Sequence, residues 1–171
     1  MKILIIGNIG SGKTTLGKKI QEITGFKFVQ IDELREKFLN NSVSGEYLSL
    51  HKFLKEIEEN ENLILEFTGV GCHKYAIKKS LELNSDNIMI ILCKTRNFDL
   101  LLERIDDKTF SYTHPFEVSP HAHVQYVEEE SIKNLEDKFW SCKGFKFIEV
   151  FMDDESDLLL NIKKISEILK S

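Results

Sequence analysis

The stretch Gly7-Asn8-Ile9-Gly10-Ser11-Gly12-Lys13-Thr14, followed by Thr15, has the spacing GxxxxGK[ST] and lies directly behind a short apolar run, Ile3 to Ile6. At average composition such a pattern arises in roughly one chain in two hundred of this length, and the strand, turn and helix context lowers that further. Its chemistry explains its spacing. Glycines let successive backbone N–H groups turn inward around phosphate oxygens, and the start of the following helix adds about half a positive charge. Lys13 then reaches the β- and γ-phosphates of a nucleotide, and the Thr14 hydroxyl is placed to ligate Mg²⁺. The three glycines do not fit the dinucleotide pattern GxGxxG, because position 9 is Ile.

Two further positions carry charge at the ends of apolar runs. In Asn62-Leu-Ile-Leu-Glu66-Phe-Thr-Gly the carboxylate of Glu66 closes a strand-like segment, the edge at which open parallel sheets bind ligands. Glu66 is read as the group that holds Mg²⁺ through water or positions a nucleophile; the other reading is a half-buried carboxylate against a lysine. In Ile31-Asp32-Glu33-Leu34-Arg35 the carboxylate and guanidinium stand three residues apart, on one face of a first helical turn. Asp32 is a candidate base for an acceptor hydroxyl and Arg35 a candidate anchor for an anionic group of that acceptor. A helix cap with a local ion pair is the plainer alternative.

These groups need a scaffold, and the chain alternates short β-branched runs with longer amphipathic segments. Strands are expected near 2–6, 27–31, 62–67, 87–93 and 145–151, several of them apolar on consecutive positions as in strands buried on both faces. Helices are expected near 12–24, 33–39, 46–60, 73–84, 97–106, 124–142 and 155–170. The alternation implies an α/β fold: a mostly parallel open sheet with helices on both sides. Residues 107–123 break the pattern, holding both prolines and three of the five histidines, and are read as a lid or substrate loop. Phe110, Tyr112 and Phe116 either line an acceptor pocket or pack that loop onto the body. His114, His121 and His123 lack an acidic or cysteine partner at fixed spacing, so exposed or substrate-contacting roles are preferred to a metal. The stripe Val124, Val127, Ile132, Leu135 and Phe139 is read as core, with no site.

Composition sets the outer bounds. The 171 residues, 42% apolar and 30% charged, suit one globular domain, 1–171. A net charge of −5 disfavours duplex nucleic acid or anionic lipid as partner. Cys72, Cys93 and Cys142 form no CxxC pair, no run approaches the roughly 20 apolar residues of a membrane span, and a soluble cytoplasmic protein is expected. Only three residues are arginine, Arg35, Arg96 and Arg104.

Taken together, GNIGSGKTT after the first strand, IDELR after the second, LILEFTGVG at the third and LLERIDDK after the fourth resemble the P-loop kinases of the adenylate kinase, shikimate kinase and polynucleotide kinase group. The resemblance implies a three-layer α/β/α fold, five strands in the order 2-3-1-4-5, ATP with Mg²⁺, and a lid. It implies that Arg104 stacks on adenine and that Lys108 touches the phosphates. It departs from the nucleoside monophosphate kinases at Val70, where a second arginine would grip an acceptor phosphate, and from shikimate kinases in having no arginine beyond 104. The expected activity is transfer of the γ-phosphoryl of ATP to a hydroxyl of a small or nucleoside-like acceptor. A nucleotide kinase, or an NTPase switch with no acceptor, is the alternative.

Overall fold

The structure, a computed structural model, describes residues 1–38, 43–106 and 119–170. Five strands, β1 (Lys2–Gly7), β2 (Lys27–Gln30), β3 (Leu63–Glu66), β4 (Ile88–Lys94) and β5 (Phe145–Phe151), form one sheet in the order β2-β3-β1-β4-β5. Every neighbouring pair is parallel. Each strand therefore needs a crossover, supplied by α1 (Lys13–Thr24), α2 (Ile31–Phe38), α3 (Val43–Glu59), α4 (His73–Asn84), α5 (Phe98–Asp106) and α6 (Pro120–Glu136), while α7 (Glu155–Lys170) follows β5.

Alternation along each strand sorts the core into two layers. Leu4, Ile6, Leu63, Leu65, Ile88 and Ile90 point to one face, where Phe53 and Ile57 of α3 and Ile77 and Leu81 of α4 cover them. Ile3, Ile5, Ile64, Met89 and Ile91 point to the other, against Leu16 and Ile20 of α1 and Ile165 of α7. The central strand β1 is buried along its whole length. Its first residue is a lysine, and Lys2 stays buried by donating its ammonium to the Ile57 carbonyl; burial lowers its pKa. Among the described residues no helix is long and apolar enough to cross a membrane.

The expected elements are all present, with shifted ends. Helix α2 starts at Ile31, immediately after β2, so Asp32 sits inside its first turn and does not end a strand. The largest correction concerns 107–123 and the helix after it. Helix α6 runs over Pro120–Glu136, not 124–142, so His121 and His123 belong to a helix. Ser119 caps it by accepting from the Ala122 amide at 3.2 Å, and Pro120 occupies the position where a missing N–H costs nothing. That Ser-Pro start was visible in the sequence, but Pro-His-Ala-His has no apolar period to mark a helix. At the other end the chain turns out of α6 through Lys138, at φ 51. The remainder of the expected lid, 107–118, with Lys108, Phe110, Tyr112, His114 and Phe116, lies outside the described residues.

Candidate active site

The loop between β1 and α1 is wrapped by backbone that only glycine adopts at ease. Gly10 and Gly12 have φ of 79 and 86. A Cβ on Gly12 would also stand 3.0 Å from that of Met152, and one on Gly7 would stand 2.3 Å from the Cys93 carbonyl oxygen. The loop is held in shape from inside. Asn8 accepts from the Ile9 amide at 2.8 Å and donates to the Val124 carbonyl at 2.9 Å and to Glu128 at 3.0 Å, tying the loop to α6. Lys13, 8% exposed, lays its ammonium over the loop and donates to the Asn8 carbonyl at 2.7 Å.

Parallel pairing of β1 and β3 brings Glu66 beside the first turn of α1. Thr14 Oγ1 lies 2.8 and 2.9 Å from the two Glu66 oxygens. A hydroxyl and a buried carboxylate, both oxygen ligands, form the donor set that a hard divalent cation prefers. Lys13, Thr14, Glu66, Asp32 and Arg104 all line one open cleft of about 760 Å³, bounded also by Phe67, Thr68 and Met152. Glycines wrapped around an inward lysine, next to an oxygen donor pair, fit a nucleotide phosphate with its metal.

On one side of the cleft, Asp32 and Arg35 meet as their spacing requires, at 2.8 Å. The spacing gave no sign of a third partner. Glu46 of α3 accepts from Arg35 Nε at 2.9 Å and from Nη2 at 2.5 Å, and His73 Nε2 stands 2.9 Å from the same carboxylate. Burial alone would raise the Glu46 pKa, but the His73 and Arg35 contacts outweigh it and hold the carboxyl at about 2. Burial likewise acts to lower that of Arg35, and the bonds and charges of Glu46 and Asp32 reverse it, raising the pKa. Arg35 thus reaches the cleft only through Asp32, without lining it, and its fork is occupied by carboxylates.

On the opposite side, Arg104 donates to the carbonyls of Gly10 at 2.9 Å, Met152 at 2.9 Å and Asp153 at 2.6 Å. It clamps the glycine loop to the β5–α7 connection. The same connection is gripped by Arg96, unassigned from sequence, which binds Asp153 at 2.6 Å and Asp157 at 2.7 and 2.9 Å. Those bonds from Arg96 bring the Asp157 pKa down to about 2.

Sequence reasoning also missed the supports of the turn after β3. Gly69 has φ 86 and passes so close to Ile6 that a Cβ would meet its Cβ at 2.9 Å. Its carbonyl accepts from Trp140 Nε1 at 2.9 Å and Asn134 Nδ2 at 3.1 Å. The single tryptophan of the chain was a legible signal, since a buried indole N–H needs an acceptor. His121, at 2.8 Å from Asp106, links α5 to α6, and no cluster of His, Cys, Asp or Glu among the described residues could hold a metal ion.

Comparison with known proteins places these features. The family model PduV-EutP, described as ethanolamine utilisation and propanediol utilisation, matches residues 1–61, from β1 through α3. The chain is 36% identical over 80 residues to the bifunctional shikimate kinase/3-dehydroquinate synthase of Thermotoga maritima, covering 42% of this chain and 16% of that one. It is 30% identical over 118 residues to a putative adenylate kinase of Methanocaldococcus jannaschii, covering 64% and 60%. Each of these two relatives is thus spanned over less than two thirds of its length. Among solved structures, shikimate kinase from Bacteroides thetaiotaomicron superposes with a TM-score of 0.68 at 17% identity, covering 100% of this chain and 99% of that one. Deoxyadenosine kinase from M. mycoides with bound dATP does so with a TM-score of 0.65 at 18% identity, covering 100% of both.

Proposed function

We propose that this chain, which has the fold of the P-loop kinases and sequence similarity to shikimate and adenylate kinases, is an ATP-dependent kinase that phosphorylates a hydroxyl of a small or nucleoside-like acceptor. The observation that carries this reading is the convergence of Lys13, the Thr14–Glu66 pair and Asp32 on one cleft. Bound MgATP supplies the phosphoryl group and an ion that screens its charge.

The chain's own groups do the rest. The loop amides and Lys13 take up negative charge that grows on the transferring and leaving oxygens. The ammonium, which donates to the Asn8 carbonyl, would turn to phosphate oxygens when nucleotide is bound. Thr14 and Glu66 would hold the metal, whose charge would screen the phosphates. Arg104 keeps the β5–α7 connection on the glycine loop and would flank the adenine from that side. Asp32 orients the acceptor hydroxyl and accepts its proton at Oδ2 as the new O–P bond forms and the β–γ bridge breaks; Arg35 holds the other oxygen. We further propose a single domain acting in the cytoplasm.

The test of this reading is transfer of label from γ-labelled ATP to nucleosides, sugars and polyols. Asp32→Asn is expected to lower transfer at least a hundredfold while ATP binding changes less than about twofold, given that one positioned base contributes about 10²–10⁴. Undiminished turnover of that variant eliminates Asp32 as the base.

A further inference from the structure

Building on the kinase reading, we infer that the acceptor subsite beside Asp32 takes an uncharged hydroxyl-bearing molecule, a sugar, polyol or nucleoside without phosphate or carboxylate, and that Glu46 sets this preference. Arginine selects anions by presenting a planar fork to two oxygens at once. In this subsite that fork is turned inward. Nε and Nη2 both donate to Glu46, at 2.9 and 2.5 Å, and Nη1 donates to Asp32 at 2.8 Å. Both ends of the guanidinium therefore face carboxylates of the chain itself.

Exchanging partners is costly here. The side chains of Arg35 and Glu46 are 15% and 14% exposed, so an anionic acceptor that took the fork would break a largely buried ion pair. His73 fixes that carboxylate from the start of α4, at 2.9 Å. The edge of the Tyr47 ring lies against His73, with centroids 6.4 Å apart, so the histidine is packed as well as bonded. Among the described residues that line the cleft, the basic ones are Lys13 and Arg104, both at the glycine-loop end. Val70, where a phosphate-gripping arginine was sought, is buried. A hydroxyl group, by contrast, gains from the arrangement, because an Asp32 oxygen can accept its hydrogen bond without any ion pair breaking.

The experiment compares matched acceptors with γ-labelled ATP and Mg²⁺: D-glucose against D-gluconate, and 2′-deoxyadenosine against its 3′-monophosphate, which keeps the 5′-hydroxyl free. For the wild-type chain, kcat/KM is expected to favour the uncharged member of a pair at least tenfold. In Glu46→Gln the fork is no longer neutralised, and the preference should fall at least tenfold, with KM for the anionic member dropping. Equal or better use of the anionic acceptor by the wild type overturns the inference while leaving the kinase reading intact. An unchanged preference in a folded Glu46→Gln protein removes Glu46 as its cause. Phosphate release with no labelled acceptor in either class defeats the kinase reading, and this inference with it. The wild-type comparison decides the preference even if the variant fails to fold.

Discussion

Arg104 reaches three carbonyls from two segments far apart in the chain, and replacing it by Met tests whether that clamp holds the site together. The stem would stay, since Met keeps the apolar part packed over Gly10. The bonds to Gly10, Met152 and Asp153, at 2.9, 2.9 and 2.6 Å, would go. A hydrogen bond with one charged partner is worth about 1.5–3 kcal/mol when buried. Two of the three share one nitrogen, and the carbonyls lie on an open cleft where water can replace the guanidinium. A net loss of about 2–3 kcal/mol follows, well below three full bonds. In a domain of this size it corresponds to a fall in Tm of about 4–12 °C. Urea unfolding of wild type and Arg104→Met measures it, with Glu103→Ala, exposed on the same helix, expected to stay within about 0.5 kcal/mol. A loss below about 0.5 kcal/mol would mean that the carbonyls were never dependent on Arg104, and the clamp would be refuted. MgATP adds a second readout. If Arg104 also faces the nucleotide, saturating MgATP raises the Tm of the variant less than that of the wild type; equal increments would remove that role.

Two other predictions concern acid and thiol chemistry. Because the folded Glu46 pKa of about 2 lies below its usual value near 4.5, its ionisation contributes stability that is complete above pH 4.5 and lost as pH falls toward 2. The stability gap between wild type and Glu46→Gln should therefore narrow from pH 6 to pH 2.5, and a constant gap across that range would contradict the ion pair. Burial pushes the Cys93 thiol up to about 12, whereas Cys72 is exposed and Cys142 half-buried. A thiol-reactive dye at pH 8 should label Cys72 fast, Cys142 slowly and Cys93 only on unfolding; rapid labelling of all three in the folded protein would show that the C-terminal end of β4 opens.

How far the sequence could be read differs by feature. The glycine loop was legible in full because its function is local: amides, lysine and threonine act from consecutive residues, so spacing is geometry. Asp32 and Arg35 were paired for the same reason, one helical turn apart. The elements were legible because a strand buried on both faces must be apolar at every position, as Ile3 to Ile6 are. Their ends were less so, and α6 was begun four residues late because Pro120 to His123 carry a capping signal but no period. Nothing in the spacing sets Glu46 apart from the other carboxylates of an amphipathic helix.

What the sequence by itself determined was therefore the order of strands and helices and the chemistry carried by residues within one turn of each other. The tertiary structure decided the pairings over distance: Thr14 with Glu66 across 52 positions, Glu46 with His73 across 27, Trp140 with Gly69 across 71 and Arg104 with Gly10 across 94. The reason lies in the parallel sheet. Each crossover returns the chain to the same end, so the carboxyl edges of β1, β2, β3 and β5 gather groups from the whole length. Which of them touch depends on strand order and register, and these are fixed by packing both faces of the sheet at once. The consequence is sharpest at Arg35: its presence was written in the sequence, but whether its charge was free for a ligand was settled by a helix that begins eight residues later.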